Sequence, residues 1–408
     1  MRRVVVTGAG VVSPIGQEIT GFSEAMIEGR SGLRLRAADP DVSLEPLVIG
    51  QVDFDPARHF SKPQAKQLDR VVQFSLVAMR EAVRHAGLEL DDEARDRAGV
   101  YWGTGLGGAG TLEDGYIQLF REKTGRGRPL SVVMGMNNAA AAHISMELGL
   151  RGPSQTISNA CASSAMAIGE GLRAIRRGDA EVVVVGGAEA LLTPGVMRIW
   201  QMMGTLARTD SADPARSCKP FAADRSGLVL AEGAVALILE DEERARRRGA
   251  PILAELAGYG SSSDAVHISK PDAAGQVRAM RAALRDAGLA PDAIGYVNAH
   301  GTATEVGDAV ETQALRQLFG ATVPPVSSTK AVHGHLMGAA GAVEFLAAIL
   351  ALRLEVLPPT AHLDRPDPAC DLDYIAGGAR EAKGLGAILS NSFAFGGSNA
   401  VLVARRYS

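Results

Sequence analysis

Three stretches of the chain are hydrophobic without alternation: "RRVVVTGAG" at 2–10, "AEVVVVGGAEAL" at 180–191 and "GAVALILE" at 233–240. Unbroken apolar runs rich in β-branched residues predict strands buried on both faces, as in a parallel sheet covered by helices. Elsewhere the period lengthens to that of a helix. "ISNACASSAMAIG" at 157–169 passes from a strand-like run into a helical pattern with Met166, Ile168, Leu172 and Ile175, which stops at Gly178. A second helical pattern occurs twice. "AMREAVRHAGL" at 78–88 returns as "AMRAALRDAGL" at 279–289, identical at eight of eleven positions. Each copy is followed by an acidic turn, a short strand and Gly-Thr, in "GVYWGTG" and "GYVNAHGT". The repeat predicts a duplicated α/β unit, each half a mainly parallel sheet with helices on its faces. The seam falls near "RRRGAP", giving halves 1–250 and 251–408.

Composition narrows the class. With 408 residues, 46% of them hydrophobic, the chain is long enough for one large core or two ordinary domains. No run reaches the ~18 uninterrupted apolar residues of a membrane span, and the opening valine run is too short for a signal sequence, so a cytoplasmic protein is expected. Cys161, Cys218 and Cys370 are far apart and form no CxxC pair, which argues against a disulfide framework or thiolate zinc site. The net charge of −4 gives no sign of nucleic-acid binding.

The candidate chemistry lies at strand ends, where α/β sheets place their sites. Cys161 stands at the start of a helix, where unpaired N–H groups and the dipole stabilise a thiolate and are expected to lower its pKa. The alternative is a small buried apolar residue. In the second half, "NAHGTATEVGD" ends a strand with His300, and "SSTKAVHGHLMGAAGAVE" brings Lys330, His333, His335 and Glu344. "SNSFAFGGSNAVLV" bends between two strands, so that Phe393 and Phe395 cannot both be buried in a simple hairpin. "GTGLGG" at 103–108 and "GAGVVS" at 8–13 suggest the rival reading, an NAD-dependent oxidoreductase. Neither is followed at ~20 residues by an acidic residue ending a second strand, as a dinucleotide site requires.

These motifs together resemble the β-ketoacyl-acyl-carrier-protein synthases, the elongating condensing enzymes of the thiolase-like superfamily, and the KAS II type most closely. The likeness runs from "VVVTGAGVVSPIG" to "NSFAFGGSNAVLV". It implies a duplicated, layered α-β-α-β-α fold of βαβαβαββ halves and decarboxylative Claisen condensation of an acyl group with a malonyl group, in fatty acid or type II polyketide or polyene synthesis. By the resemblance Cys161 in "NACASS" is the nucleophile, His300 and His335 are the catalytic histidines, Lys330 is the lysine of the set, and Phe395 gates the acyl pocket. Backbone N–H groups of Cys161 and Phe395 would form an oxyanion hole. Thr302, Thr304, Phe393 and Leu106 are expected to contact substrate, Leu106 beside the acyl tail near a dimer interface. Glu344 is a plausible partner of Lys330, and His333 has no place in the set. No metal or organic cofactor is implied.

Related branches separate on the same residues. A biosynthetic thiolase would have a second cysteine near "NSFAFGGSN", the Cys-His-Asn branches would lack His335, and a chain-length factor would lack Cys161. Ala394 stands where the family commonly has glycine and Ser398 where it has threonine, departures that bear on gating and chain preference. The implied partner is an acidic acyl carrier protein, with the chain a homodimer or the catalytic subunit of a heterodimer with a chain-length factor. In "FSKPQAKQLDR", Ser61 and Gln64 form a capping-box pattern, and Lys62, Lys66 and Arg70 recur every four residues on one face. That stripe is either a carrier-docking surface or a solvated helix face.

Overall fold

The computed structural model describes residues 2–123 and 129–407. Ten strands form one sheet, five from each half. Half one supplies β1 (Val4–Val12), β2 (Ala98–Gly103), β3 (Ser154–Ile157), β4 (Val182–Glu189) and β5 (Gly233–Asp241). Half two supplies β6 (Ala254–Ser263), β7 (Tyr296–Asn298), β8 (Val326–Ser327), β9 (Ala387–Phe393) and β10 (Ser398–Arg405). From each outer edge inward the orders are β3-β2-β4-β5-β1 and β8-β7-β9-β10-β6, the same permutation. The halves meet where β1 pairs with β6 at Val5 and Glu255.

The expectation of mainly parallel halves is corrected by the pairing. β2 runs parallel to β3 and β4, but β5 is antiparallel to both β4 and β1. In half two β7 is parallel to β8 and β9, while β10 is antiparallel to β9 and β6. Unbroken hydrophobicity reports burial on both faces, and here helices cover both faces whatever the strand direction.

Seven helices matter for the layers and the site: α1 (Lys62–Gln67), α2 (Arg70–Ala86), α3 (Ser163–Arg177), α4 (Pro194–Met203), α5 (Ala273–Ala287), α6 (Glu305–Phe319) and α7 (Ala340–Leu354). The repeated helices α2 and α5 cover the outer faces, on β1 and β5 and on β6 and β10 respectively, while α3 and α7 lie between the two halves. The result is the layered α-β-α-β-α arrangement. Gly8 and Gly10 of β1 explain the glycine pattern that resembled a nucleotide loop. A β-carbon on either would strike the carbonyls of Ala82 or Ala78 in α2, so these glycines let helix and strand close together. Gly258 and Gly260 do the same in half two against Ala283 and Ala279.

The central helix region Met337–Leu354 is long and apolar enough to cross a membrane, with mean hydropathy 1.7, yet 83% of it is buried inside the protein. Both central helices begin alike. A 3-10 turn, Ala160–Ala162, leads into α3, and another, Met337–Ala339, leads into α7. The first residue of each turn has φ of 47°. The internal counterpart of Cys161 is therefore Gly338.

Candidate active site

Cys161 follows β3 in a tight turn whose first residue, Ala160, adopts a left-handed conformation. The turn points the side chain into a cavity of about 610 Å³ lined also by His300, His335, Thr302, Thr304, Phe393 and Phe395. The thiol is 5% exposed, and the expected low pKa is overturned: burial pushes it up to about 12, against the opposing pull of Lys330. Loss of hydration outweighs helix-end partial charges, because desolvation of a fully buried group reaches several pKa units.

His335 Nε2 lies 3.0 Å from Cys161 Sγ. Its other nitrogen, Nδ1, accepts the backbone N–H of Met337 at 3.3 Å. An amide N–H can only donate, so the neutral ring carries its proton on Nε2 and directs it at the sulfur. The His300 ring stands 5.4 Å away and nearly perpendicular. Its Nδ1 faces Lys330 Nζ at 3.4 Å, and the same Nζ donates to the His300 carbonyl at 2.5 Å. Lys330 is fully buried and ion-paired with Glu344. With Lys330 donating to Nδ1, His300 also presents Nε2–H. Burial first, and the Lys330 charge second, hold both imidazoles well below the ordinary histidine pKa, so both are neutral at pH 7. Burial pushes Glu344 up to about 7, and Lys330 opposes it.

Two carboxylates escaped the sequence reading. Glu311 accepts the backbone N–H groups of His300 at 2.9 Å and Gly301 at 2.8 Å and the Asn391 amide at 3.0 Å, holding the His300 turn. Glu189 ends the apolar run "VVVVGGAE" and accepts from Gly105 and Gly338. The available signal was a buried-strand pattern ending in an acid. Glu189 fills the "GTGLGG" loop with a carboxylate of the chain itself, which removes the nucleotide reading of that motif.

The other expected residues divide. Thr302 and Thr304 line the cavity with their hydroxyls 3.0 Å apart. Phe393 is buried and Phe395 half-buried, stacked on Trp200 at 6.3 Å. The backbone N–H of Cys161 reaches its own sulfur, and outside helices and strands neither it nor the N–H of Phe395 bonds to another backbone carbonyl among the described residues. His333 is structural, bonded to the Gly334 carbonyl and the Thr329 hydroxyl. Leu106 is 51% exposed and does not line this cavity.

The charge stripe is broken. The Ser61–Gln64 capping box forms, but α1 ends at Gln67, Leu68 is extended, and Asp69 caps a new helix at Arg70. Arg70 is bound to Glu232 at 2.6 and 2.9 Å and to the Val52 carbonyl, over the Phe74 ring, so its charge is already paired and it does not continue the face of Lys62 and Lys66. Lys62 and Lys66 remain exposed.

The sulfur and the imidazole nitrogens of His300 and His335 lie within 4.8 Å of one another, close enough to share one ion. The Lys330 cation against His300 opposes adding a dication there. Access separates Cys161 from the other two thiols, and its raised pKa sets how its labelling depends on pH. Iodoacetamide is expected to label Cys161 about tenfold faster per pH unit from 7 to 9, while Cys218 and Cys370 stay unlabelled until unfolding. Peptide mapping would count against a protonated resting thiol if the Cys161 rate levelled off below pH 8.

The chain is similar to known proteins in sequence and fold. Residues 1–245 match the model of the β-ketoacyl synthase N-terminal domain and residues 253–364 that of its C-terminal domain. The chain is 38% identical to 3-oxoacyl-[acyl-carrier-protein] synthase 2 of Staphylococcus aureus (strain N315), over 100% of this chain and 99% of that protein. Among solved structures, the ishigamide ketosynthase/chain length factor has a TM-score of 0.93 at 33% identity, covering 100% of both chains. A type II polyketide ketosynthase bound to the hexaketide, in complex with its acyl-carrier protein, has a TM-score of 0.90 at 30% identity, again over 100% of both.

Proposed function

Because the chain belongs to the β-ketoacyl synthase family, we propose that its cavity carries out decarboxylative condensation of carrier-bound acyl and malonyl groups. The protein is a β-ketoacyl-acyl-carrier-protein synthase, an acyltransferase of fatty acid or polyketide synthesis. The observation that carries the residue assignments is the pair of neutral imidazoles presenting Nε2–H around Cys161 Sγ.

In the first half-reaction Cys161 sulfur attacks the acyl thioester. The carbonyl oxygen becomes an oxyanion between the backbone N–H groups of Cys161 and Phe395, and the thiol proton leaves with the carrier thiol. In the second, malonyl thioester loses carbon dioxide, and the enolate oxygen accepts the two Nε2–H groups of His300 and His335. The enolate carbon attacks acyl-Cys161, forming the new carbon–carbon bond and releasing the sulfur, which regains a proton. Histidines kept neutral by burial suit this work, because they donate without surrendering a full charge. Lys330 and Glu344 orient His300. Thr302 and Thr304 offer hydroxyls to the arm that delivers the thioester, and Phe395, on a turn with Gly396 at φ 81°, gates the pocket. The chemistry runs on side chains and backbone alone, with no cofactor.

We place the boundary between the halves at 250/251. Three unlinked thiols suit a reducing compartment, the cytoplasm. β3 is an edge strand with Ser154 and Gln155 exposed, and Leu106, Leu112, Phe120, Val133 and Met146 lie exposed in the same region of the sequence. A second copy pairing there gives a homodimer and returns Leu106 to an acyl pocket. The second reading, a ketosynthase subunit of a specialised type II polyketide system with a chain-length factor, is favoured by the likeness to the ishigamide pair. Purified protein given acyl and malonyl carrier should yield β-ketoacyl carrier and one carbon dioxide per condensation. Product without carbon dioxide, or neither, would reject the reaction. Lys62 and Lys66 are proposed to meet the acidic carrier. Reversing both to glutamate should raise KM for carrier-bound acyl groups about tenfold and leave small thioester analogues unaffected. Equal loss with both substrates would make α1 merely structural.

A further inference from the structure

Glu189, at the carboxyl end of β4, is completely buried and touches none of the reacting groups described above. Its Oε2 accepts Gly105 N–H at 2.7 Å and Gly338 N–H at 2.9 Å. Its Oε1 accepts the Thr104 hydroxyl at 3.2 Å and Leu106 N–H at 3.3 Å. Four donors from two halves of the chain converge on one carboxylate. Burial pushes this carboxyl up to about 7 and the hydrogen bonds pull it down.

Gly338 adjoins Met337, whose N–H sets the His335 tautomer and whose backbone is held at a φ of 47°. A β-carbon on Gly338 would stand 2.5 Å from Glu189 Oε2, and one on Gly105 2.7 Å. Both positions need glycine for the backbone to close on the carboxylate. The duplication gives the arrangement its sense. Gly338 is the counterpart of Cys161, and each offers a backbone N–H as the second residue of the turn before a central helix. In half one that N–H meets only the Cys161 sulfur, which moves off it when the thiol is acylated, so it can turn to substrate oxygen. In half two an internal oxygen, from Glu189, fills the same kind of cradle and fixes the turn.

We infer that Glu189 is a positioning residue for the decarboxylation step, clamping the turn that aims His335 and tying it to the loop that carries Leu106. The inference rests on the condensation chemistry proposed above. A glutamine keeps only one acceptor oxygen, so its NH₂ group meets backbone N–H on one side or the other, and the tie between the His335 turn and the Leu106 loop is broken. Displacements of about 1 Å in a reacting group can cost about 100-fold.

The test uses the full-length enzyme and Glu189→Gln. Condensation kcat and carbon dioxide release from malonyl carrier should fall about 100-fold, with KM for acyl carrier unchanged and single-turnover acylation of Cys161 within about threefold of the parent. Imidazole ¹⁵N shifts should show His335 purely Nε2–H in the parent and mixed in the variant. Gly338→Ala keeps the carboxylate but forces the turn away, and should give the same selective loss. It decides the matter if Glu189→Gln does not fold. Equal losses in acylation and decarboxylation, or no loss in either, would overturn the assignment. A parent enzyme that never releases carbon dioxide would instead refute the proposed reaction, and the ¹⁵N shifts would still decide whether Glu189 sets the His335 tautomer.

Discussion

Cys161→Ala should form no acyl-enzyme yet still release carbon dioxide from malonyl carrier, while His300→Ala and His335→Ala should accept labelled acyl groups and fail to condense them. The two half-reactions draw on different groups. Acyl transfer needs the sulfur and the backbone N–H groups of Cys161 and Phe395. Decarboxylation needs the two Nε2–H donors, which His300 and His335 supply from half two. Removing one preorganised donor from a developing oxyanion costs about 10²–10³ in rate, well above assay background. Acylation of the His335 variant should slow only modestly, because its contact with Sγ at 3.0 Å assists but does not replace the nucleophile. Radiolabelled acyl transfer and carbon dioxide capture, run on the same preparations, read both steps. Cys161→Ala without decarboxylation, together with histidine variants that condense normally, would reverse the roles assigned here.

Lys330→Met should be the most destabilising single change in the site. Lys330 and Glu344 are both fully buried, and Glu344 Oε2 already lacks a partner. Removing the cation strands the carboxylate, and breaking a buried pair from one side costs about 3–5 kcal/mol. The pH dependence has a definite sign. Burial holds the folded-state Glu344 carboxyl above its ordinary value, so the folded protein keeps a proton that the unfolded chain releases. Stability from such a group is present below the unfolded carboxyl pKa and is lost as pH rises through the folded one. The deficit of Lys330→Met should therefore be smaller at pH 5.5 than at pH 8, by thermal unfolding. Adding Glu344→Gln should recover much of the stability without restoring condensation, because His300 Nδ1 still lacks its donor. A deficit equal at both pH values would mean that the carboxylate is not what the lysine compensates.

Much of the molecule was legible in one dimension. The eight-in-eleven repeat announced the duplication, which the two identical strand permutations bear out. The resemblance selected Cys161, His300, His335 and Lys330, and all four meet at one cavity or directly behind it. Local pattern suffices for such features because helix and strand periods, caps and turns depend on neighbours within a few residues. Even there it reached only as far as the element. The four-residue spacing that joined Lys62 and Lys66 to Arg70 ran across a helix break at Leu68 and Asp69.

Tertiary structure alone decided the rest. Strand direction could not be read from "GAVALILE", since burial on both faces writes the same apolar run into parallel and antiparallel strands. The Cys161 thiol is raised rather than lowered because its acidity depends on hydration lost to residues brought from both halves. Arg70 is held by Glu232, Glu189 binds Gly338, and Glu311 holds the His300 turn. The first two contacts span more than a hundred residues and the third crosses from a helix to a strand end, distances over which sequence spacing carries no geometry. What the sequence by itself determined was which elements and which reactive groups exist. Which groups lose water, and which opposite charge or N–H meets them when they do, was settled only when the two halves closed around α3 and α7.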